Sequence, residues 1–312
     1  MRSQNQFIYH WRILHLFWRN LLVTLNNWFS KMKLNQTGNP SMSQTILITG
    51  ASSGIGKATA KLFQEKGWNV VATMRTPAKE TELTALDNVL VTRLDVLDSD
   101  SITQAVELGI KEFGKIDVLL NNAGYGAYGV LEATPTEKIK RQFDVNVLGL
   151  LDVTKAILPH FRKNKDGILI NISSIGGKMT FPLGSLYHGT KFAVEGISEA
   201  LSFEMEAIGC KVKIVEPGAI KTDFGGRSFD FNNDESLVEY QELVSKLFNS
   251  FESLTSNASE ASVVAEVIYE AATDGTDQLR YTAGEDAKML MVSRKESDDR
   301  SFIQGIKDQF GL

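Results

Sequence analysis

The chain has 312 residues, 43% of them hydrophobic and 23% charged, which is enough to bury a large core in one domain. Its net charge of −5 gives no general attraction to nucleic acid, and its histidines and cysteine show no zinc-type spacing, so neither a nucleic-acid partner nor a metal is expected. A single cysteine, Cys210, excludes an intrachain disulfide, fits a reducing compartment such as the cytoplasm, and reads as a small core residue.

Residues 1–43 differ from the rest. They carry Arg2, Arg12, Arg19, Lys31 and Lys33 without any Asp or Glu, together with Trp11, Trp18 and Trp28. Between residues 7 and 29, Arg12, His15, Arg19 and Asn26 fall on one helical stripe and most other positions are apolar, which suits a helix lying peripherally in a membrane interface. Arg12 and Arg19 interrupt every long apolar run, so a spanning helix is not expected. A secretory signal is not expected either, because no clean apolar stretch precedes a small-residue cleavage site. The segment 35–41 has the polar, turn-forming composition of a linker.

From residue 44 onward, short β-branched runs alternate with helical stretches, and strands are expected at 45–49, 69–73, 89–94, 116–121, 167–173 and 211–216. That alternation predicts an α/β fold, a doubly wound parallel sheet with helices on both faces. Ligands of such sheets bind beyond the carboxyl ends of the strands. Gly50, Asp95, Asn122, Ser174 and Pro217 each follow a predicted strand and should therefore converge on one edge.

The first strand runs into Gly50-Ala51-Ser52-Ser53-Gly54-Ile55-Gly56, a glycine-rich turn opening a helix. Glycine permits positive φ and close approach of a pyrophosphate, and the helix N-terminus offers N–H groups to phosphate oxygens. NAD-selective sites place an acid about 20 residues further on to hold the ribose hydroxyl. Here the second strand ends in Thr73-Met74-Arg75-Thr76, with no acid and a guanidinium that suits a 2′-phosphate. The expected cofactor is NADP, with NAD the lesser alternative.

Downstream, Tyr187-His188-Gly189-Thr190-Lys191 sets a phenol and an ammonium four residues apart on one helix face, with Ser174 thirteen residues before the tyrosine. A free phenol has a pKa of about 10, and a cation roughly 4–6 Å away lowers it by about 1–3, towards the range of general acid–base work. His188 reads as a site-rim residue rather than a catalyst.

These motifs, with Asn121-Asn122-Ala123-Gly124 after an apolar strand, Asn146 within a predicted helix and Glu216-Pro217-Gly218-Ala219-Ile220-Lys221-Thr222 after another, resemble the short-chain dehydrogenase/reductase family over residues 44–312. The stretch from Phe192 to Leu201, with Glu216-Pro217-Gly218, looks closest to its hydroxysteroid and retinol dehydrogenase branch. The resemblance implies a Rossmann-type three-layer domain. It also implies hydride transfer between the nicotinamide and a carbonyl, or a secondary or primary alcohol, on an apolar substrate.

On that resemblance Tyr187 is the acid/base and Ser174 holds the substrate oxygen. Lys191 tunes Tyr187 and binds the nicotinamide ribose, and Asn146 holds a water leading to Lys191. Gly50, Ser52, Ser53, Gly54, Ile55 and Gly56 cradle the phosphates, while Arg75 selects NADP. Asp95 and Val96 border the adenine, and Asn122, Ala123 and Gly124 pass near its ribose. Pro217, Gly218, Ile220 and Thr222 lie on the nicotinamide side. Tyr125, Tyr128, Met179, Phe181, Pro182 and Phe224 are expected to face the carbonyl.

Residues 223–260, with Phe224, Phe229, Phe231, Tyr240, Leu243, Phe248 and Phe251, are implied to form a helical substrate lid. Family members commonly pair through two long helices, so a homodimer or homotetramer is expected through 146–160 and 187–207. Val147, Leu150, Leu151, Val153, Phe192, Val194, Ile197 and Leu201 are the candidate contacts. Met42-Ser43-Gln44-Thr45 looks like a natural start for the family. That leaves upstream translated sequence as a second reading of residues 1–41, beside the membrane-associated one. A non-catalytic NADP-binding sensor or scaffold of the same fold is the alternative function.

Overall fold

In a computed structural model, residues 43–222, 228–256 and 258–312 are described, 251–256 by their backbone alone. The interfacial-helix reading of 7–29 and the position of Phe224 lie outside these residues.

Seven strands build the central sheet: β1 (Thr45–Ile48), β2 (Asn69–Met74), β3 (Val89–Arg93), β4 (Val118–Asn121), β6 (Ile168–Ile172), β7 (Lys211–Pro217) and β11 (Arg280–Ala283). Their order is β11-β7-β6-β4-β1-β2-β3, and every neighbouring pair is parallel. The chain reverses its direction of travel between β1 and β4, which opens a crevice at their carboxyl ends. β11 has no counterpart among the expected strands. As an edge strand of only four residues, Arg-Tyr-Thr-Ala, it carries no run of β-branched apolar residues to signal it.

Both faces of the sheet are covered, so its central strands are buried throughout rather than alternating. Ile46, Ile48, Val70, Leu120 and Val215 pack on one side against α1 (Gly54–Glu65) and α7 (Ala261–Thr273). Leu47, Val71, Leu119 and Leu169 pack on the other against α2 (Ser99–Phe113), α4 (Gly149–Asn164) and α5 (Ser185–Ala207). Cys210 joins this second core. Helix α2 starts where Asp98 accepts hydrogen bonds from the Asp100 and Ser101 amides, both at 3.1 Å. Phe63 of α1 is fully buried and meets Trp68 and Tyr269 edge-on at 5.0 and 5.2 Å, which joins α1 to α7. Phe63→Ala is expected to lower stability by about 3–5 kcal/mol, measured by urea unfolding.

The region expected as a helical lid is more mixed. Strand β9 (Phe229–Asn232) pairs in parallel with β5 (Gly126–Gly129), and one helix, α6 (Gln241–Ser256), follows. Strands β8 (Ile220–Lys221) and β10 (Ser259–Glu260) pair with each other on either side of this insertion. Two C-terminal helices, α8 (Glu285–Glu296) and α9 (Asp299–Phe310), close a small third core with Ile175, Met179, Ala287 and Phe302.

Candidate active site

The dinucleotide turn follows from its glycines. Gly50 and Gly54 have φ of +71° and +54°, in the left-handed region that glycine enters at little cost. A Cβ on Gly56 would stand 2.5 Å from the Gly50 carbonyl oxygen, so no larger residue could follow the turn without moving it. No side chain caps the start of α1 and no acid stands in its first turn. Its leading N–H groups and positive dipole end are thus suited to phosphate. These features fit a dinucleotide. Ser52 is exposed, Ser53 and Ile55 half-buried, and Arg75 is exposed just beyond β2.

Asp95 and Val96 follow β3, with Asp95 Oδ1 accepting from the Leu97 amide at 3.1 Å. Asn122 is turned inward. Its Nδ2 donates to the Thr49 and Gly50 carbonyls at 2.8 and 3.2 Å, so its side chain clamps β1 to β4 and leaves the following Ala123 and Gly124 backbone beside the turn. Thr222 lies over the turn, its methyl carbon 3.2 Å from where a Cβ on Gly54 would stand. Ser174 Oγ donates to the Pro217 carbonyl at 3.5 Å, and the Gly218 amide donates to Ala283 at 3.0 Å. Ile220 packs on the first core. An anchor absent from the sequence reading is Asp286, whose Oδ2 accepts the Ala219 amide at 2.7 Å and fixes this loop.

Ser174 follows β6 in extended backbone, and its Oγ accepts from the Gly176 amide at 3.0 Å while meeting the Tyr187 hydroxyl. Tyr187, in the first turn of α5, is buried. Lys191 lies one turn on, with Nζ 5.8 Å from the Tyr187 ring centre and donating to the Ile172 carbonyl at 2.8 Å. Burial pushes the Tyr187 phenol up to about 12, opposed by the Ser174 hydrogen bond. This is opposite to the direction expected from the Tyr–Lys spacing, because burial disfavours the charged form of the phenol. Burial likewise lowers Lys191 to about 8, against the attraction of Glu195.

Asn146 is held by a feature with no sequence signal. Helix α3 (Thr136–Phe143) passes into α4 through a π turn, Asp144–Leu148, of the kind that recurs at functional sites. The turn directs Asn146 inward, where Nδ2 donates to the Tyr125 carbonyl at 2.9 Å and to Thr190 Oγ1 at 3.1 Å. Its Oδ1 accepts the Tyr125 amide at 3.1 Å. The side chain therefore ties the β4–β5 loop to α5.

Three expectations are corrected. His188 is buried rather than at a rim: its Nε2 accepts the Phe181 amide at 3.0 Å and Nδ1 contacts the Gly176 carbonyl at 2.9 Å. That pairing makes Nδ1 the protonated nitrogen, and burial lowers the imidazole to about 4, so it remains a neutral clip. Met179 and Phe181 pack into the C-terminal core rather than facing a carbonyl, since α8 and α9 cover them. Of the apolar residues assigned to pairing helices, Val147, Leu150, Val153 and Val194 are buried within the chain.

Tyr128 stacks on Tyr187 at 5.4 Å and continues an aromatic row through Phe229, Phe231 and Phe248. Pro182 is half-buried, and the Arg141 guanidinium stands 5.9 Å from the centre of the Tyr125 ring. Gly189 needs no special freedom, because its Cβ would lie 3.6 Å from Phe143, in ordinary contact. Gly189→Ala should therefore raise stability by up to about 1 kcal/mol with activity kept, read from paired denaturation and rate measurements.

A glycine cradle for phosphates beside a desolvated phenol and ammonium defines a nicotinamide-dependent oxidoreductase of the doubly wound class. The family model for short chain dehydrogenases matches residues 44–233, and the chain belongs to that family. An uncharacterised oxidoreductase of Schizosaccharomyces pombe is 48% identical, covering 77% of this chain and all of its own. The Bos taurus dehydrogenase/reductase SDR family member 9 is 30% identical over 89% of this chain and 91% of its own. A 3-ketodihydrosphingosine reductase of Bacteroides thetaiotaomicron is 46% identical over 58% of this chain and 65% of its own.

Among solved structures, a short-chain dehydrogenase from Streptomyces avermitilis superposes with TM-score 0.75 at 31% identity, over 88% of this chain and all of its own. ElxO with NADP bound gives 0.65 at 30%, over 78% and 97%. The protein is thus an NAD(P)-dependent oxidoreductase by family. Among the described residues no group of side chains could hold a metal, and no helix is long and apolar enough to cross a membrane.

Proposed function

We propose that the protein is an NADP-dependent reductase or dehydrogenase of carbonyl and alcohol groups on apolar substrates, with Tyr187 as the acid/base. The observation that carries this reading is the meeting of the Ser174 and Tyr187 hydroxyls, one helical turn from Lys191, at the carboxyl edge of the sheet. When bound, the reduced nicotinamide supplies the hydride for the carbonyl carbon. Tyr187 Oη holds the proton the carbonyl oxygen needs, and its burial keeps the phenol protonated across the neutral range. Ser174 Oγ, oriented by the Gly176 amide, donates to the same oxygen. Lys191 supplies positive charge below the phenol and a donor for ribose hydroxyls, and Asn146 holds the loop and helix in register. In the oxidative direction only the ionised Tyr187 accepts the proton, a form that a phenol pushed up to about 12 reaches at alkaline pH.

Arg75, with no acid at the end of β2, supports NADP over NAD. The row from Tyr128 to Phe248 supports an apolar substrate, and the relative named a 3-ketodihydrosphingosine reductase agrees with a ketone. The gathered Ser174, Tyr187 and Lys191 disfavour a pure sensor or scaffold, which needs no proton donor. A panel of apolar ketones and aldehydes with NADPH and NADH, followed by absorbance of the reduced nicotinamide, tests the reading. Turnover of at least one apolar carbonyl with NADPH is expected, and none across the panel contradicts it.

We also propose pairing through the helical stretches 146–160 and 187–207, on the strength of exposed Leu148, Phe192 and Phe203, at 52%, 45% and 73% exposure. Light scattering at micromolar concentration should give a dimer or tetramer mass, and a strictly monomeric mass contradicts pairing.

A further inference from the structure

Helix α5 carries a charged face that continues past the catalytic pair: Tyr187, Lys191, Glu195 and Glu199 recur at four-residue spacing. Glu195 is only 4% exposed, and beside it Glu216, at the end of β7, is 1% exposed. One guanidinium serves both. Arg280 of β11 donates from Nε to Glu195 Oε2 at 2.9 Å, while Glu216 Oε1 stands 3.7 Å from the same nitrogen. Nε carries a single hydrogen, and the guanidinium's other bond, to Glu199 Oε2 at 2.5 Å, takes its charge outward. Thr282 donates to Glu216 Oε2 at 3.2 Å.

What remains is a matched pair of deficits. Glu195 Oε1 and Glu216 Oε1 are both buried without a hydrogen-bond partner among the described residues. A Cβ on Gly177 would stand 2.9 Å from Glu195 Cγ, so the backbone of the turn after Ser174 packs directly on Glu195. Two neighbouring buried carboxylates do not both ionise readily, and a proton on one supplies the missing donor.

We propose that Glu195 and Glu216 share one proton beneath the catalytic helix, and that through this pair Glu195 is a positioning residue that sustains the charge of Lys191. The second half rests on the role given to Lys191 above. Burial, then the neighbouring Glu195 charge, push the Glu216 carboxyl up to about 7, while Thr282, Lys178 and Arg280 oppose them. Glu195 in turn supports the Lys191 ammonium against its burial. Glu199 on α5, Arg280 on β11 and Lys178 after the Ser174 turn are the other charged groups facing the pair. Raising pH through neutrality therefore adds negative charge below Lys191.

The proton is tested on the full chain without reference to turnover. A protonated-carboxyl band in the infrared difference spectrum should vanish as pH rises through about 7, and should be missing in Glu216→Gln. Since the folded pKa lies above the unfolded one, the stability tied to this group is complete at low pH and is lost as pH rises through about 7. The thermal midpoint of the parent should thus fall across that range, and that of Glu216→Gln should fall less. Absence of a titrating carboxyl band overturns the shared proton.

The link to Lys191 is read by nitrogen NMR of lysine-labelled protein, with Lys191 assigned through Lys191→Arg. In Glu195→Gln its ammonium should titrate about one pH unit lower, and the alkaline limb of kcat/KM should move with it. An unmoved titration overturns the link, and a uniform loss of kcat at every pH would mark Glu195 as merely structural. Absence of turnover in the parent would count against the proposed function alone, because the infrared and NMR arms still decide the inference.

Discussion

Tyr187→Phe should reduce kcat by at least about 10²–10⁴-fold while NADPH binding is retained, because the exchange removes one hydroxyl and little packing. The ring keeps its contact with Tyr128 at 5.4 Å, and Ser174 keeps the Gly176 amide at 3.0 Å, so the site should hold its shape. The same assignment predicts a pH profile. With the phenol pushed up to about 12, the acid is present throughout the neutral range, so kcat for reduction should not rise steeply as pH falls below about 8. Near-normal kcat in the phenylalanine variant, measured on the best substrate, would place the proton donor elsewhere.

Arg75→Asp should reverse the cofactor preference. A guanidinium gives a 2′-phosphate charge-assisted hydrogen bonds of about 1.5–3 kcal/mol, or roughly 10–100-fold in affinity. A carboxylate at the same place repels that phosphate and accepts from the ribose hydroxyls of NAD. Arg75 is exposed, so folding should change by no more than about 0.5 kcal/mol. The comparison is of kcat/KM for NADPH and NADH in both proteins. Equal values for the two cofactors in the parent would remove Arg75 from the selection.

The six expected strands all form: the central ones carry runs of Val, Ile and Leu that must be buried on both faces, while β3, at the sheet edge, is only partly buried, and the bounding turns are marked by Gly, Asn and Asp. The convergence of Gly50, Asp95, Asn122, Ser174 and Pro217 was legible for the same reason: residues that end parallel strands share an edge. Less was legible where tertiary contacts decide. The π turn at 144–148 has no residue signature, and the orientation of Asn146 depends on it.

The i, i+4 spacing placed Lys191 beside Tyr187 but carried no information about burial, which reversed the shift of the phenol. His188 has the polarity of a rim residue, and only the fold shows two backbone groups waiting for its ring. The charged cluster of Glu195, Glu216 and Arg280 joins residues up to 85 positions apart, brought together by an edge strand the sequence did not announce.

Transfer of label from the cofactor tests the central reading most directly. NADPH deuterated at the reactive nicotinamide carbon would be incubated with the best apolar ketone, and the alcohol examined by mass spectrometry. The account predicts one deuterium on the carbinol carbon, at a rate that collapses in Tyr187→Phe. Tight NADPH binding with no labelled alcohol from any ketone or aldehyde tried would contradict it, and would leave a cofactor-binding protein without the chemistry assigned to Ser174, Tyr187 and Lys191.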